Sequence, residues 1–278
     1  MSKNDRKTPF TPNLSQLIEK FTQNDVIAEM EKEYQSAPAR LVNLSSLKDN
    51  EIIGQVKMAP RIVEYFASTI KEKGIFNPLV VRPVESGYEV VLGRKRFLGA
   101  KQAGIVSVPC VIKEMEDEEE LLMLLADNRD QRESNIIEMA LICQALQQRF
   151  HYTQQTLASL SHQSRCQITN TLRLLSLTPK LQNEVSLGEL SYGHAKAIAS
   201  LRGNELEETA ETIRKERLSV RETEALVKSK KHRTKAESRV DLAKKVGATK
   251  MKIKGNSVRF EFPSETERDR FIEVLRRK

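Results

Sequence analysis

The chain has 278 residues, 39% of them hydrophobic and 5% aromatic, with no tryptophan. That composition suits several small helical cores and argues against one large sandwich or barrel. Lysine and arginine outnumber aspartate and glutamate by 46 to 38, a net charge of +8 with a pI near 9.3, which favours a polyanionic partner. The three cysteines, Cys110, Cys143 and Cys166, are too far apart for a CxxC metal site or a disulfide framework, and read as buried, inert thiols in a reducing cytoplasm. No apolar run reaches the ~20 residues that span a bilayer, and the polar start Met1 to Lys7 is no signal peptide. A soluble intracellular protein is expected.

Residues 1–40 are polar, interrupted by Pro9, Pro12 and Pro38, and form a tail in which Leu14, Leu17, Ile18 and Phe21 recur at helical spacing. From Leu41 the pattern becomes α/β. Ile62, Val63, Phe66 and Ile70 mark a helix stopped by Gly74. Pro78 to Pro83 is a β-branched strand, Ser86-Gly87 a turn, and Tyr88 to Leu92 a second strand. Gly93 opens a helix that reaches about Ala103 and is closed by Gly104, and Val108 to Ile112 is a third strand. The acidic run Glu114 to Glu120 leads into apolar Leu121 to Ala126, acids offsetting a helix dipole rather than ligating metal. From there to about Lys228 the chain reads as helical, with breaks near Thr153, His162, Pro179, Gly188, Gly203 and Leu218. The expected domains are a mixed α+β domain over 41–115 and an all-α domain over 116–228. A basic linker, 229–239, carries Lys230, Lys231, Arg233, Lys235 and Arg239. A small α+β unit follows over 240–278: a short helix at Val240 to Val246, a hairpin turned by Gly255-Asn256, and a last helix begun by the capping box Ser264 to Glu267. So small a unit buries little alone and is expected to dimerise.

Thr153 to Leu175 has the form of a helix-turn-helix. The first helix, Thr153 to Leu160, turns Leu157, Ala158 and Leu160 inward, and Ser161 to Gln163 is the turn, where His162 must accept a left-handed conformation. Ser164 caps a second helix whose buried side is expected to be Ile168, Leu172 and Leu175. That leaves Arg165, Gln167, Thr169, Asn170 and Arg173 for solvent, side chains suited to base edges in a major groove. An ordinary helical hairpin with a solvated polar face gives the same spacing. The linker together with Lys250, Lys252 and Lys254 would add sequence-independent attraction to phosphate.

These segments resemble a known family, the ParB-type chromosome-partitioning proteins. The resemblance lies in Leu157-Ala158, Ser164-Arg165, Asn170 and Leu172 to Leu175, then in Leu190 to Ala197, similar to the family's LSxGHARA. It continues in Leu218 to Glu224, similar to LSVRxTE, and upstream in Gly74 to Pro83, similar to GIxxPLVVRP. It implies a ParB/sulfiredoxin-like N-terminal fold, a palindromic centromere-like site near the replication origin, and spreading on flanking double-stranded DNA. A homodimer, a ParA-type ATPase partner, condensin loading and a nucleoid-associated cytoplasmic location are implied as well. By position, Ser164, Arg165, Gln167, Asn170 and Arg173 would contact DNA, with His194 and Lys196 beyond the recognition helix. On chemistry alone His194 is equally a helix-packing or capping histidine. The same core would also serve a nucleoid-occlusion factor or a transcription repressor.

The family's N-terminal domains also bind CTP, and some hydrolyse it to gate a clamp. The corresponding motif, similar to GERRxRA, is Gly93-Arg-Lys-Arg-Phe-Leu-Gly-Ala100. Its glycine exposes N–H groups at a helix start, and Arg94, Lys95 and Arg96 bring charge for phosphates. Arg94 replaces the usual glutamate and Leu98 an arginine. A second motif reads Asp127-Asn128 with Gln131-Arg132-Glu133 one residue out of step, and Asp127 and Asn128 would ligate Mg²⁺. A third has decayed to Gln55 and Lys57. A sulfiredoxin-type enzyme would need a cysteine beside the phosphate loop, and residues 93–100 hold none; Walker A, HExxH and GxSxG patterns are absent.

Overall fold

The computed structural model describes residues 38–130, 135–230, 243, 246–254 and 257–276. The helical stretch at Leu14 to Phe21, Gln131 to Glu133, the linker beyond Lys230 and most of the helix expected over Val240 to Val246 lie outside these residues.

The first part of the chain folds around a five-stranded mixed sheet. Its strands are β1 (Arg40–Asn43), β2 (Leu47–Lys48), β3 (Leu79–Val84), β4 (Gly87–Leu92) and β5 (Ser107–Ile112), in the order β1-β5-β3-β4-β2. The β3/β4 and β1/β5 pairs are antiparallel, and β3/β5 and β2/β4 parallel. Two helices, α1 (Pro60–Lys73) and α2 (Arg94–Ala103), cover one face. Gly74 (φ 73°) and Gly104 (φ 72°) end them as the glycine stops predict. Gly99 sits where α2 crosses α1, and a Cβ there would stand 2.6 Å from that of Phe66. Only glycine permits that approach.

Strand alternation divides the sheet between two cores. Leu79, Val81, Val90, Val108 and Cys110 face Phe97, Ala100 and Ile70. Val80 and Val91 face the other way, onto α3 (Asp117–Asp130). Leu121 to Ala126 are all buried; a helix apolar on every side belongs inside a structure, and the acids at 117–120 occupy its first turn. The same core continues through α4 (Ile136–Phe150), α5 (Gln154–Leu160) and α6 (Arg165–Arg173), with Ile142, Leu146, Leu157 and Ile168 among its members. Helices α7 (Pro179–Leu187) and α8 (Tyr192–Ile198) follow. The chain divides into compact units between Ser200 and Leu201. Residue 115, where the sequence suggests a boundary, instead precedes a core shared by sheet and helices.

The second unit holds α9 (Asn204–Glu216), a helical stretch over residues 220–230 (α10), the hairpin β6 (Lys250–Lys254) and β7 (Ser257–Glu261), and α11 (Glu265–Arg276). The hairpin register pairs Lys254 with Ser257; the turn expected at Gly255-Asn256 lies outside the described residues. Ser264 Oγ accepts the Glu267 N–H at 3.3 Å, the expected cap.

Candidate nucleic-acid interface

The helix-turn-helix forms as the sequence predicts. Thr153 caps α5, accepting the Thr156 N–H at 3.1 Å, and His162 takes φ 52° at the turn. Ser164 caps α6 with a complete capping box. Its Oγ accepts the Gln167 N–H at 3.2 Å, and Gln167 Oε1 accepts the Ser164 N–H at 2.7 Å.

The buried stripe differs from the expected one. Ile168, Thr171 and Leu174 are buried, whereas Leu172 and Leu175 are half-exposed. The α-helix ends at Arg173, and Leu174 to Ser176 wind as a tighter 3-10 turn. That winding carries Leu174, three residues after Thr171, into the core. Arg165, Thr169 and Arg173 then form one i, i+4, i+8 ridge toward solvent, with Cys166 and Asn170 beside it. Arg165, Gln167 and Arg173 are exposed, and Asn170 is half-exposed with its amide 3.7 Å from Cys166 Sγ.

Two expectations change at this helix. Cys166 is exposed on it, unlike buried Cys110 and Cys143, because residue 166 falls on the ridge side rather than among the core positions. Thr169 does not present a free hydroxyl: it donates to Gln154 Oε1 at 2.8 Å and lies 2.9 Å from the Arg165 carbonyl. Helix α8 packs beside α6, and Ser176 Oγ donates to the Ala199 carbonyl at 3.1 Å. On α8, Ser191 caps the helix and its hydroxyl lies 2.7 Å from His194 Nδ1, so His194 has a capping partner; Lys196 is half-exposed. In the second unit Lys250 and Lys252 are exposed, and Lys252 lies 3.5 Å from Glu261.

The segments aligned with the nucleotide motifs meet, Arg94 against the carbonyls of Gly54 and Val56 and Arg96 within the field of Asp127, but Arg94, Arg96 and Asn128 are turned to protein acceptors. Gly93 takes φ 93° before α2, and no side chain caps that helix. Yet Arg94 is buried (8% exposed) and turned inward. Its guanidinium donates to Asp49 (2.8 Å), Glu138 Oε1 (2.6 Å), and the carbonyls of Gly54 (3.1 Å) and Val56 (2.9 Å). A charge so placed must be paired, and these acceptors remove it from a phosphate. Burial raises the Glu138 pKa, with Arg94 opposing. Arg96 donates to the Asn77 and Pro78 carbonyls, and burial pulls its pKa down against the field of Asp127. Asn128 is buried and its Nδ2 donates to the Leu124 carbonyl at 3.1 Å. Among the described residues no group of three or more His, Cys, Asp or Glu could hold a metal. Gln55 Nε2 donates to the Ile52 carbonyl at 3.1 Å, and Lys57 is exposed. Lys95 lines a cavity of about 360 Å³ together with Arg61, Glu138, Ser191 and Tyr192. The motif spacing made Lys95 legible; Arg61, Asp49 and Glu138 lie outside every motif and give no sequence signal.

A helix-turn-helix whose polar ridge faces solvent, built into the core of a mixed α/β domain, defines the class of this protein. The ParB N-terminal domain family matches residues 28–129, and the ParB HTH domain family matches 132–232. The probable chromosome-partitioning protein ParB of Vibrio cholerae is 36% identical over 188 residues, 67% of this chain and 64% of that one. Its counterpart in Pseudomonas putida is 34% identical over 218 residues, 78% of this chain and 72% of that one. Two crystal structures of the C-terminally truncated Caulobacter crescentus ParB are also similar. The one complexed to the centromeric parS site is 30% identical, covering 68% of this chain and 99% of that one, with a TM-score of 0.42. The one complexed with CTP-γ-S is 31% identical, covering 59% and 93%, with a TM-score of 0.33. The chain belongs to the ParB family.

Proposed function

We propose that this protein reads a palindromic parS-type site in double-stranded DNA and serves chromosome partitioning. The observation that carries the reading is the ridge of α6. Arg165, Arg173 and Asn170 stand toward solvent, over a helix fixed from behind by Ile168, Thr171 and Leu174. Rigid presentation of arginine and amide groups is what base-edge recognition in the major groove requires. His194 and Lys196, on the helix packed beside it, extend the contact surface, and Lys250, Lys252 and Lys254 add phosphate attraction. Relatives named as chromosome-partitioning proteins, and one solved with parS, support the assignment. Two copies pair through the second unit, where α11 has no buried residue while Ile272, Val274 and Leu275 are exposed. A ParA-type ATPase and condensin are the further partners this reading expects.

CTP is the nucleotide this reading assigns to the N-terminal fold. The residues suit phosphates at the uncapped start of α2, with Lys95 and Arg61 as the cations at the cavity. Arg94 and Arg96 are committed elsewhere. Bound there, CTP would supply a polyanion that links the N-terminal fold to helix α8; the acid assigned to accompanying magnesium is Asp127.

The test is binding of the full chain to a labelled parS duplex and to a scrambled one at physiological salt. Clear preference for parS, lost in Arg165→Ala, is expected at a cost of about 1–3 kcal/mol. Equal binding to both duplexes would overturn the reading. Stabilisation against heat by CTP with magnesium is expected; no shift would remove the nucleotide from it.

A further inference from the structure

Glu138, in the first turn of α4, is an acid set among cations. Its side chain is 10% exposed, and its Oε1 accepts from Arg94 at 2.6 Å. It also lines the cavity that Lys95 and Arg61 line. Lys95 favours the charged carboxyl, and Asp49, which shares Arg94, opposes it. The stretch from α7 to α8 brings only uncharged groups to this cavity, Val185, Leu187, Ser191 and the phenol of Tyr192 among them. Among the described residues its charged lining is therefore Arg61, Lys95 and Glu138.

A phosphate chain drawn to Lys95 and Arg61 meets the negative charge of Glu138 in the same poorly solvated space, and like charges so placed favour the protonated acid. We propose that Glu138 gates this cavity by charge: its carboxylate opposes a phosphate chain at Lys95 and Arg61, which binds tightly once Glu138 has taken a proton from solvent. Burial already pushes the Glu138 carboxyl up, with Arg94 and Lys95 opposing. An anion that engages Lys95 weakens that opposition and adds its own repulsion. Neutral Glu138 still offers a carbonyl oxygen to Arg94, and Asp49 with the Gly54 and Val56 carbonyls keeps the guanidinium paired. Binding and proton uptake are thus linked, and phosphate affinity rises as pH falls. The inference rests on the nucleotide reading of this cavity and adds its regulation.

The experiment is calorimetric titration of the full chain with CTP and magnesium, in buffers of different ionisation enthalpy, beside Glu138→Gln. The wild type is expected to take up more protons on binding than Glu138→Gln, which is the reference because the CTP phosphates titrate in both. Gln keeps an acceptor for Arg94 without the charge. It should bind CTP about tenfold tighter near neutral pH, an advantage that shrinks as the wild-type acid protonates toward about pH 5. Glu138→Asp keeps the charge and should keep the extra uptake. A merely structural Glu138 would shift melting in Glu138→Gln but leave proton count and pH profile as in the wild type. Binding by both proteins with equal proton counts and equal affinities at every pH overturns the gate alone. Binding by neither at any pH overturns the nucleotide reading together with the gate. Should Glu138→Gln fold poorly, the wild-type count is compared with the proton balance of magnesium–CTP itself, and no excess overturns the gate.

Discussion

The three thiols make the difference between a buried and a presented side chain measurable. Burial pushes Cys110 up to about 11 and Cys143 up to about 12, so neither supplies appreciable thiolate at neutral pH. Cys166 is exposed on the recognition helix. One thiol per folded chain should react with an aromatic disulfide reagent, and a parS duplex should protect it; three fast thiols would mean the core is open. Arg94 makes the opposite case. Removing it in Arg94→Met leaves Asp49 and Glu138 without their cation in a buried place, and a loss of about 3–5 kcal/mol is expected in denaturant unfolding. Adding Glu138→Gln should recover part of that loss. None of this was legible from sequence, because Asp49 and Glu138 lie 45 and 44 residues from Arg94 in the chain. What a motif position does depends on neighbours the motif does not contain.

At the scale of elements, punctuation was legible and short strands were not. Glycine stops and the capping box placed α1, α2 and α6 within about two residues. Strands β1 and β2, four and two residues long, carry too little alternation to stand out from the serines and asparagines around them. The buried stripe of α6 was misplaced because apolar spacing cannot show where an α-helix tightens to a 3-10 turn. This can be checked by truncation. Ile168→Ala is expected to cost about 2–5 kcal/mol, and Leu172→Ala, at a half-exposed position, clearly less. Equal losses would restore the stripe expected from sequence. Gln167 is divided between capping and solvent; Gln167→Glu retains a capping-box acceptor and should melt as wild type, so any affinity it loses reports on DNA.

For the whole molecule, the proposed pairing of two copies rests on the second unit. Val274→Asp with Leu275→Asp places charge where α11 is exposed and apolar. Sedimentation should show monomers that still melt through the first unit's transition; dimers of unchanged strength would move the pairing surface elsewhere. A pH dependence of stability is expected from a buried cluster in the first unit. Arg82 bridges Glu89 (2.8 Å) and Glu120 (3.0 Å), and Asn50 donates to Glu120 at 2.5 Å. Burial, with the charge of Glu89, pushes Glu120 up to about 7. The folded chain therefore keeps a proton that the unfolded chain has released between about pH 4.5 and about pH 7. The resulting stability is complete below that range and lost as pH rises through it, on the order of 3 kcal/mol in all. Glu120→Gln should flatten this part of the curve, and a slope unchanged by that substitution would place its origin in another group.

The pairing of Arg94 with two acids also bears on how such a chain can change over generations. Placing an acid at position 94 by itself would set it against Asp49 and Glu138, a like-charge arrangement that costs far more than most single substitutions. The two partners would have to change first, and each alone leaves Arg94 short of a counter-charge. Positions 49, 94 and 138 are thus coupled: a change at any one of them that keeps the other two should fold less well than a matched change of all three.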